Sequence, residues 1–182
     1  MGFLITNVET FKHPADQNAV DDLLSQYKTT VSEISDALRA RPFEGESVNQ
    51  GFQKRLASQL ETFFAAFFEP KGFSVQSTGY GIRYSHRIDL RADSVVRDQT
   101  RDKALFIEIE FRPTNHQNDI LKFEIGHKNN LTELAILLVA LDRDSINHGY
   151  TTMPEFKDCK KLIVEFEPRC PILLLGIDGQ DT

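Results

Sequence analysis

Cysteine, tryptophan and long apolar runs are what this chain has least of. It holds two cysteines, Cys159 and Cys170, and no tryptophan. Two cysteines at that spacing cannot build a zinc ribbon; a disulfide between them stays open from sequence, and reduced thiols are the simpler expectation. No stretch approaches the roughly 20 consecutive apolar residues of a membrane span. The opening MGFLITNVETFK has no basic region ahead of a long apolar run, so neither export nor a membrane segment is expected, and the expected location is the cytoplasm. Basic excess is missing as well. With 27 acidic against 21 basic residues the formal net charge is -6, which excludes a uniformly basic nucleic-acid binder and confines any contact with DNA to a local positive patch. What remains is ordinary for a globular protein: 182 residues, 40% hydrophobic and 26% charged, enough to bury a real core. No repeat, low-complexity tract or linker interrupts it, so a single domain over 1–182 with one sheet-centred core is expected.

Apolar spacing organises the chain. Val20, Leu23, Leu24, Tyr27, Val31, Ile34 and Leu38 recur at helical intervals and predict an amphipathic helix over about 17–41. A second helix carries Phe52, Leu56, Leu60, Phe63, Phe64 and Phe67 and is stopped by Pro70 and Gly72. The phenylalanine stripe from 63 to 68 is expected to be core or dimer interface rather than a base-stacking platform. FSVQSTGYGIRYSHRIDLRADSVV reads as strand with a bend or turn at Gly79 and Gly81, followed after DQTRD by a partner strand in a hairpin. NHQNDILKFEIGHKNN reads as a helix with Ile120, Leu121, Phe123 and Ile125 as its apolar members. ELAILLVAL reads as a buried strand, and a short helix then precedes a second apolar strand in PILLLGI.

The chemistry concentrates in ALFIEIEF, residues 104–111. Side chains alternate along a strand, so Leu105, Ile107, Ile109 and Phe111 share one face while Phe106, Glu108 and Glu110 share the other. Two readings fit: a half-exposed strand with a solvated polar face, or a strand that presents two carboxylates roughly 7 Å apart to a cation. If the hairpin turn centres on Gln99 and Thr100, Asp89 falls opposite Glu110 and diagonal to Glu108. Carboxylates that close repel one another unless a cation offsets them, which points to a divalent metal with oxygen ligands, Mg²⁺ being the natural occupant. Arg83, Arg87 and Arg91 share the face of Asp89, and the competing reading is that they neutralise the carboxylates as surface ion pairs. His86, His116, His127 and His148 lack metal-ligand spacing.

The order RIDL, hairpin, IEIEF, polar link into NDILKFEIG, then ELAILLV resembles the PD-(D/E)xK nuclease superfamily, and within it the type II restriction endonucleases of the BamHI and BglII kind. The resemblance runs over roughly residues 50–177 and is most specific over 87–140. It implies an α/β fold with a restriction-endonuclease-like core of about 48–177, a central mixed β-sheet flanked by α-helices. By resemblance, Asp89 and Glu108 are ligands of the catalytic metal and the backbone carbonyl of Ile109 completes the set. Glu110 stands where most of the superfamily has Lys; BamHI-type enzymes also have Glu there and BglII-type enzymes have Gln. Ile88 precedes Asp89 where the general pattern has Pro.

The activity this resemblance implies is sequence-specific hydrolysis of phosphodiester bonds in double-stranded DNA by a homodimer. Mg²⁺ is the implied cofactor, with Mn²⁺ substituting, and Glu110 positions or deprotonates the attacking water. Glu in place of Lys, with the acidic net charge, keeps a second reading open: a nuclease fold that has lost catalysis and serves as a DNA-binding or assembly module. A repair or mobile-element nuclease is a third. Candidate DNA contacts are Arg87, Asn115, Asn118 and Lys122. Asn can pair bidentately with adenine, but helix capping is the simpler role for both asparagines, and a solvated side chain beside Glu124 is the simpler state of Lys122. Glu61, on the second helix, is a candidate additional carboxylate beyond the metal ligands.

Overall fold

A computed structural model of the chain describes residues 2–16, 21, 30–39, 50–85, 88–98, 104–111, 116–142 and 154–180. Six strands form one sheet in the order β1 (Gly2–Phe11), β6 (Ile172–Gln180), β5 (Thr132–Ala140), β4 (Ala104–Glu110), β3 (Ile88–Asp98), β2 (Phe73–Ser85). The apolar runs β4, β5 and β6 lie parallel in the middle, and antiparallel strands flank them on both sides. Parallel neighbours require crossovers. Helix α3 (His116–Lys128) makes the one from β4 to β5, and α4 (Phe156–Phe166) makes the one from β5 to β6. Before the sheet's second strand come α1, described over 30–39, and α2 (Gln50–Phe68).

The helices divide between the two faces of the sheet. On one, Val31, Ile34 and Leu38 of α1 and Leu60, Phe63, Phe64 and Phe68 of α2 pack on Leu105, Ile107 and Ile109 of β4 and on Leu134, Ile136 and Leu138 of β5. On the other, Ile120 and Phe123 of α3 and Phe156, Cys159 and Ile163 of α4 pack on Phe106, Ala135, Leu137 and Leu174. A sheet covered on both faces explains the uninterrupted apolar reading of β5 and β6. The phenylalanine stripe is core, as expected: Phe63 and Phe64 meet edge to face at 5.5 Å and Phe64 stacks on Phe68 at 6.4 Å.

Several expectations change. β1 was not foreseen; it is an edge strand with Ile5 buried and Val8 exposed, and such a half-solvated segment carries little hydrophobic signal. Gly79 and Gly81 are not a turn. They lie inside β2, where the register with β3 shifts between Ser77 and Tyr80, and glycine in a strand marks such an irregularity as readily as a bend. The β2–β3 connection falls between Ser85 and Ile88 instead. Leu121 is exposed although it was counted among the apolar members of its helix, because α3 turns Asp119, Ile120, Phe123 and Gly126 inward. The part of the first predicted helix at 22–29 lies outside the described residues. Among the described residues no helix is long and apolar enough to cross a membrane.

Candidate active site

Glu108 and Glu110 sit near the C-terminal end of β4, level with Leu137 and Val139 of parallel β5. The C-terminal ends of parallel strands are where α/β sheets place their ligands, since the crossover helices leave room there. The carboxylates share the face of Phe106, toward α3 and α4, as the alternation predicts. That face is not solvated. Glu108 is 2% exposed and Glu110 8%, and every residue of β4 is buried, so the half-exposed reading is overturned. The physical reason is position: β4 is a central strand with helices over both faces, and burying an ionised carboxylate there requires a partner.

One partner is Lys122. Its Nζ donates to Glu108 Oε1 at 2.9 Å and to Asp119 Oδ1 at 2.7 Å. Asp119 and Lys122 lie three apart on α3, a spacing that puts both on one side of the helix, here the side facing β4. Burial pushes the Lys122 ammonium down, but the Glu108 and Asp119 carboxylates outweigh it and hold its pKa above the ordinary lysine range. Lys122 is therefore a bridging cation within the site rather than a solvated residue beside Glu124. Glu124 is engaged elsewhere, accepting hydrogen bonds from the backbone N–H groups of Arg169 and Cys170. Sequence reasoning did not single out Asp119. Its spacing to Lys122, three residues apart next to a two-carboxylate strand, is the signal that could have found it.

The β3–β4 register differs from the expected one. The paired stretch ends with Ser94 opposite Ile107, after Val95 opposite Phe106. That register is offset by two residues from the expected one, which removes Asp89 from its place opposite Glu110. Within the β2–β3 pair, Asp89 is opposite Arg83. The segment RDQTRD holds no glycine to fix the centre of the turn, which is why the expected register differs.

The remaining candidates divide. The Ile109 backbone lies between the two glutamates on β4, with its own side chain in the core on the opposite face. Asn118 is exposed in the first turn of α3, inside the helix and therefore not its N-cap. Glu61 is on α2, which packs on the other face of the sheet from Glu108 and Glu110. Arg87 and Asn115 lie outside the described residues. Two further groups approach the site. Glu155, 4% exposed, bridges to Ala140, the residue after the partner of Glu110, and pairs with Lys157 at 2.7 Å. The Cys159 thiol is pushed up to about 12, first by burial and then by the Asp158, Asp119 and Glu110 carboxylates. Both cysteines are free and buried.

In donor chemistry the groups on β4 suit a hard divalent cation: two carboxylates with a backbone carbonyl between them. Among the described residues no three carboxylate, histidine or cysteine side chains already converge as a cage, and Lys122 holds one oxygen of Glu108.

A mixed sheet with helices on both faces and buried carboxylates near the C-terminal end of β4 defines a restriction-endonuclease-like α/β protein. The family model described as restriction endonuclease BglII/BglIII matches residues 15–177, and the chain belongs to that family of PD-(D/E)xK type II restriction endonucleases. Among solved structures, the crystal structure of free BglII is similar in fold, with a TM-score of 0.53 at 14% identity, covering 100% of this chain and 81% of that one. No curated protein matches the sequence.

Proposed function

We propose that this chain is a Mg²⁺-dependent, sequence-specific endonuclease of double-stranded DNA, with Mn²⁺ able to substitute, working as a homodimer in the cytoplasm. The observation that carries the proposal is the pair of buried carboxylates, Glu108 and Glu110, on one face of β4 in a chain of the BglII/BglIII family. Carboxylates buried two apart cost stability, so their retention at a strand end calls for a chemical use.

Glu108, the Ile109 carbonyl and one β3 aspartate would hold the cation. Bound there, a divalent ion supplies positive charge to the scissile phosphate and lowers the pKa of the attacking water. Glu110, on the same face, orients that water and takes its proton. Arg87, Asn115 and Asn118 are the candidate DNA contacts, with Asn118 exposed in the first turn of α3. The resemblance assigns Asp89 as the β3 ligand; carrying the pairing of Ser94 with Ile107 one residue further would bring Asp93 beside Glu108, which supports Asp93 as a second reading. A palindromic duplex is matched by a two-fold protein, which supports the homodimer.

The test is incubation of the purified protein with mixed-sequence duplex DNA in Mg²⁺ and in EDTA, beside Glu108→Ala. Discrete Mg²⁺-dependent fragments, lost in that variant, support the reading and give the site by end-mapping. Asp89→Ala and Asp93→Ala made separately identify the β3 ligand, since one abolishes cutting and the other spares it. A folded protein that cuts nothing over a range of Mg²⁺ and Mn²⁺ would turn the assignment to an inactive DNA-binding or assembly module.

A further inference from the structure

We propose that Lys122 is the resident cation of this site: it holds Glu108 in the metal-free protein and withdraws along Asp119 when a divalent ion takes Glu108. The proposal rests on the reading of Glu108 as a metal ligand. Its basis is a three-body arrangement in which the parts belong to different elements. Glu108 is fixed in the sheet, whereas Lys122 and Asp119 ride together on α3. The ammonium lies 2.9 Å from Glu108 Oε1 and 2.7 Å from Asp119 Oδ1, and the three side chains are 18%, 3% and 2% exposed for Lys122, Glu108 and Asp119.

A divalent ion that binds the held oxygen of Glu108 meets the ammonium at close range. In a buried site, poorly screened by water, the repulsion is strong, so the two cations exclude one another from that oxygen. Lysine carries its charge on a flexible stem with rotatable donors, which suits it to move. Asp119 makes the move inexpensive, because an ammonium leaving Glu108 keeps a carboxylate partner on its own helix. Without Asp119 the same departure would leave a buried, unpartnered charge. The arrangement satisfies Glu108 as the protein folds without metal, at the cost of weaker affinity once metal arrives.

The experiment is a Mn²⁺ titration of the EDTA-stripped full-length protein, followed by electron paramagnetic resonance, with thermal unfolding measured in EDTA and in Mn²⁺. Lys122→Met removes the competing charge: Mn²⁺ is expected to bind at least about tenfold tighter, while the melting temperature falls in EDTA and recovers in Mn²⁺ by more than the wild type gains. Lys122→Arg keeps the charge and is expected not to tighten Mn²⁺ binding. Asp119→Asn leaves the ammonium on Glu108 and is expected to weaken Mn²⁺ binding, the opposite direction to Lys122→Met. A merely structural lysine would lower the melting temperature without opposed shifts in affinity. Affinities that stay unchanged, or that move the same way in Lys122→Met and Asp119→Asn, overturn the proposal. Should Lys122→Met fail to fold, an unchanged affinity in Asp119→Asn alone overturns it. If Glu108→Ala binds Mn²⁺ as the wild type does, the assignment of Glu108 as a ligand is what fails.

Discussion

Toward α1 and α2, β4 presents Leu105, Ile107 and Ile109; toward α3 and α4 it presents Phe106, Glu108 and Glu110, and both rows are buried. Equal burial hides opposite energetics. The apolar row gains roughly 25 cal/mol for each Å² removed from water. The acidic row gains little, since the cost of taking charges out of water consumes most of the attraction between Glu108 and Lys122, and apolar replacements of buried ion pairs are often neutral or stabilising. One face of the strand therefore holds the fold together, and on the proposed function the other serves chemistry.

Substitutions on the two rows should separate these roles. The largest effect is expected from Glu108→Ala, which should lower single-turnover cleavage in Mg²⁺ by on the order of a thousandfold, about 4 kcal/mol in the barrier, with an unchanged far-ultraviolet spectrum. Ile107→Ala, one residue away and fully buried on the other row, should do the reverse: urea unfolding should show a loss of about 2–5 kcal/mol, with cleavage per folded molecule retained. Equal loss of cleavage in both variants would erase the distinction between the faces. Gly126→Ala should cost about 1–3 kcal/mol, read as a lower melting temperature, because a methyl group on α3 has no room over Phe106.

The smallest effect belongs to pH. Cys159 rises from 9.0 in the unfolded chain to about 12 in the fold. The folded thiol keeps its proton where the unfolded one loses it, so its stabilising contribution is complete below pH 9.0 and is lost as pH climbs toward about 12. Burial moves Cys170 in the same direction. Denaturation between pH 9.0 and about 10 should show stability declining, with about 1 kcal/mol of the decline due to Cys159 and absent in Cys159→Ala; an identical slope in that variant would remove the thiol from the account.

Much of this was legible in the chain itself, for physical reasons that also mark where legibility stops. β5 and β6 were readable because strands covered on both faces are apolar throughout, and Glu108 and Glu110 were readable as a pair because a strand has a period of two. That they are buried was not readable. Their face is covered by a helix whose inward residues include Asp119 and Lys122, and a count of apolar residues assigns both to solvent while selecting exposed Leu121. The β3–β4 register was off by two residues because turn chemistry in RDQTRD gives no glycine to centre on. β1 escaped because an edge strand needs only a few inward side chains.

The close approach of α3 to β4 reaches beyond stability. A Cβ at Gly126 would stand 2.7 Å from the Phe106 ring and 3.2 Å from Thr132. Positions 106 and 126 are therefore one design variable: a larger residue on the helix has to be matched by a smaller one on the strand. α3 also carries Lys122, whose ammonium lies 2.9 Å from Glu108 Oε1, so a shift of the helix at 126 is expected to change that separation. Changing 106 and 126 together offers a way to tune the charge over the active site without touching any residue that bears one.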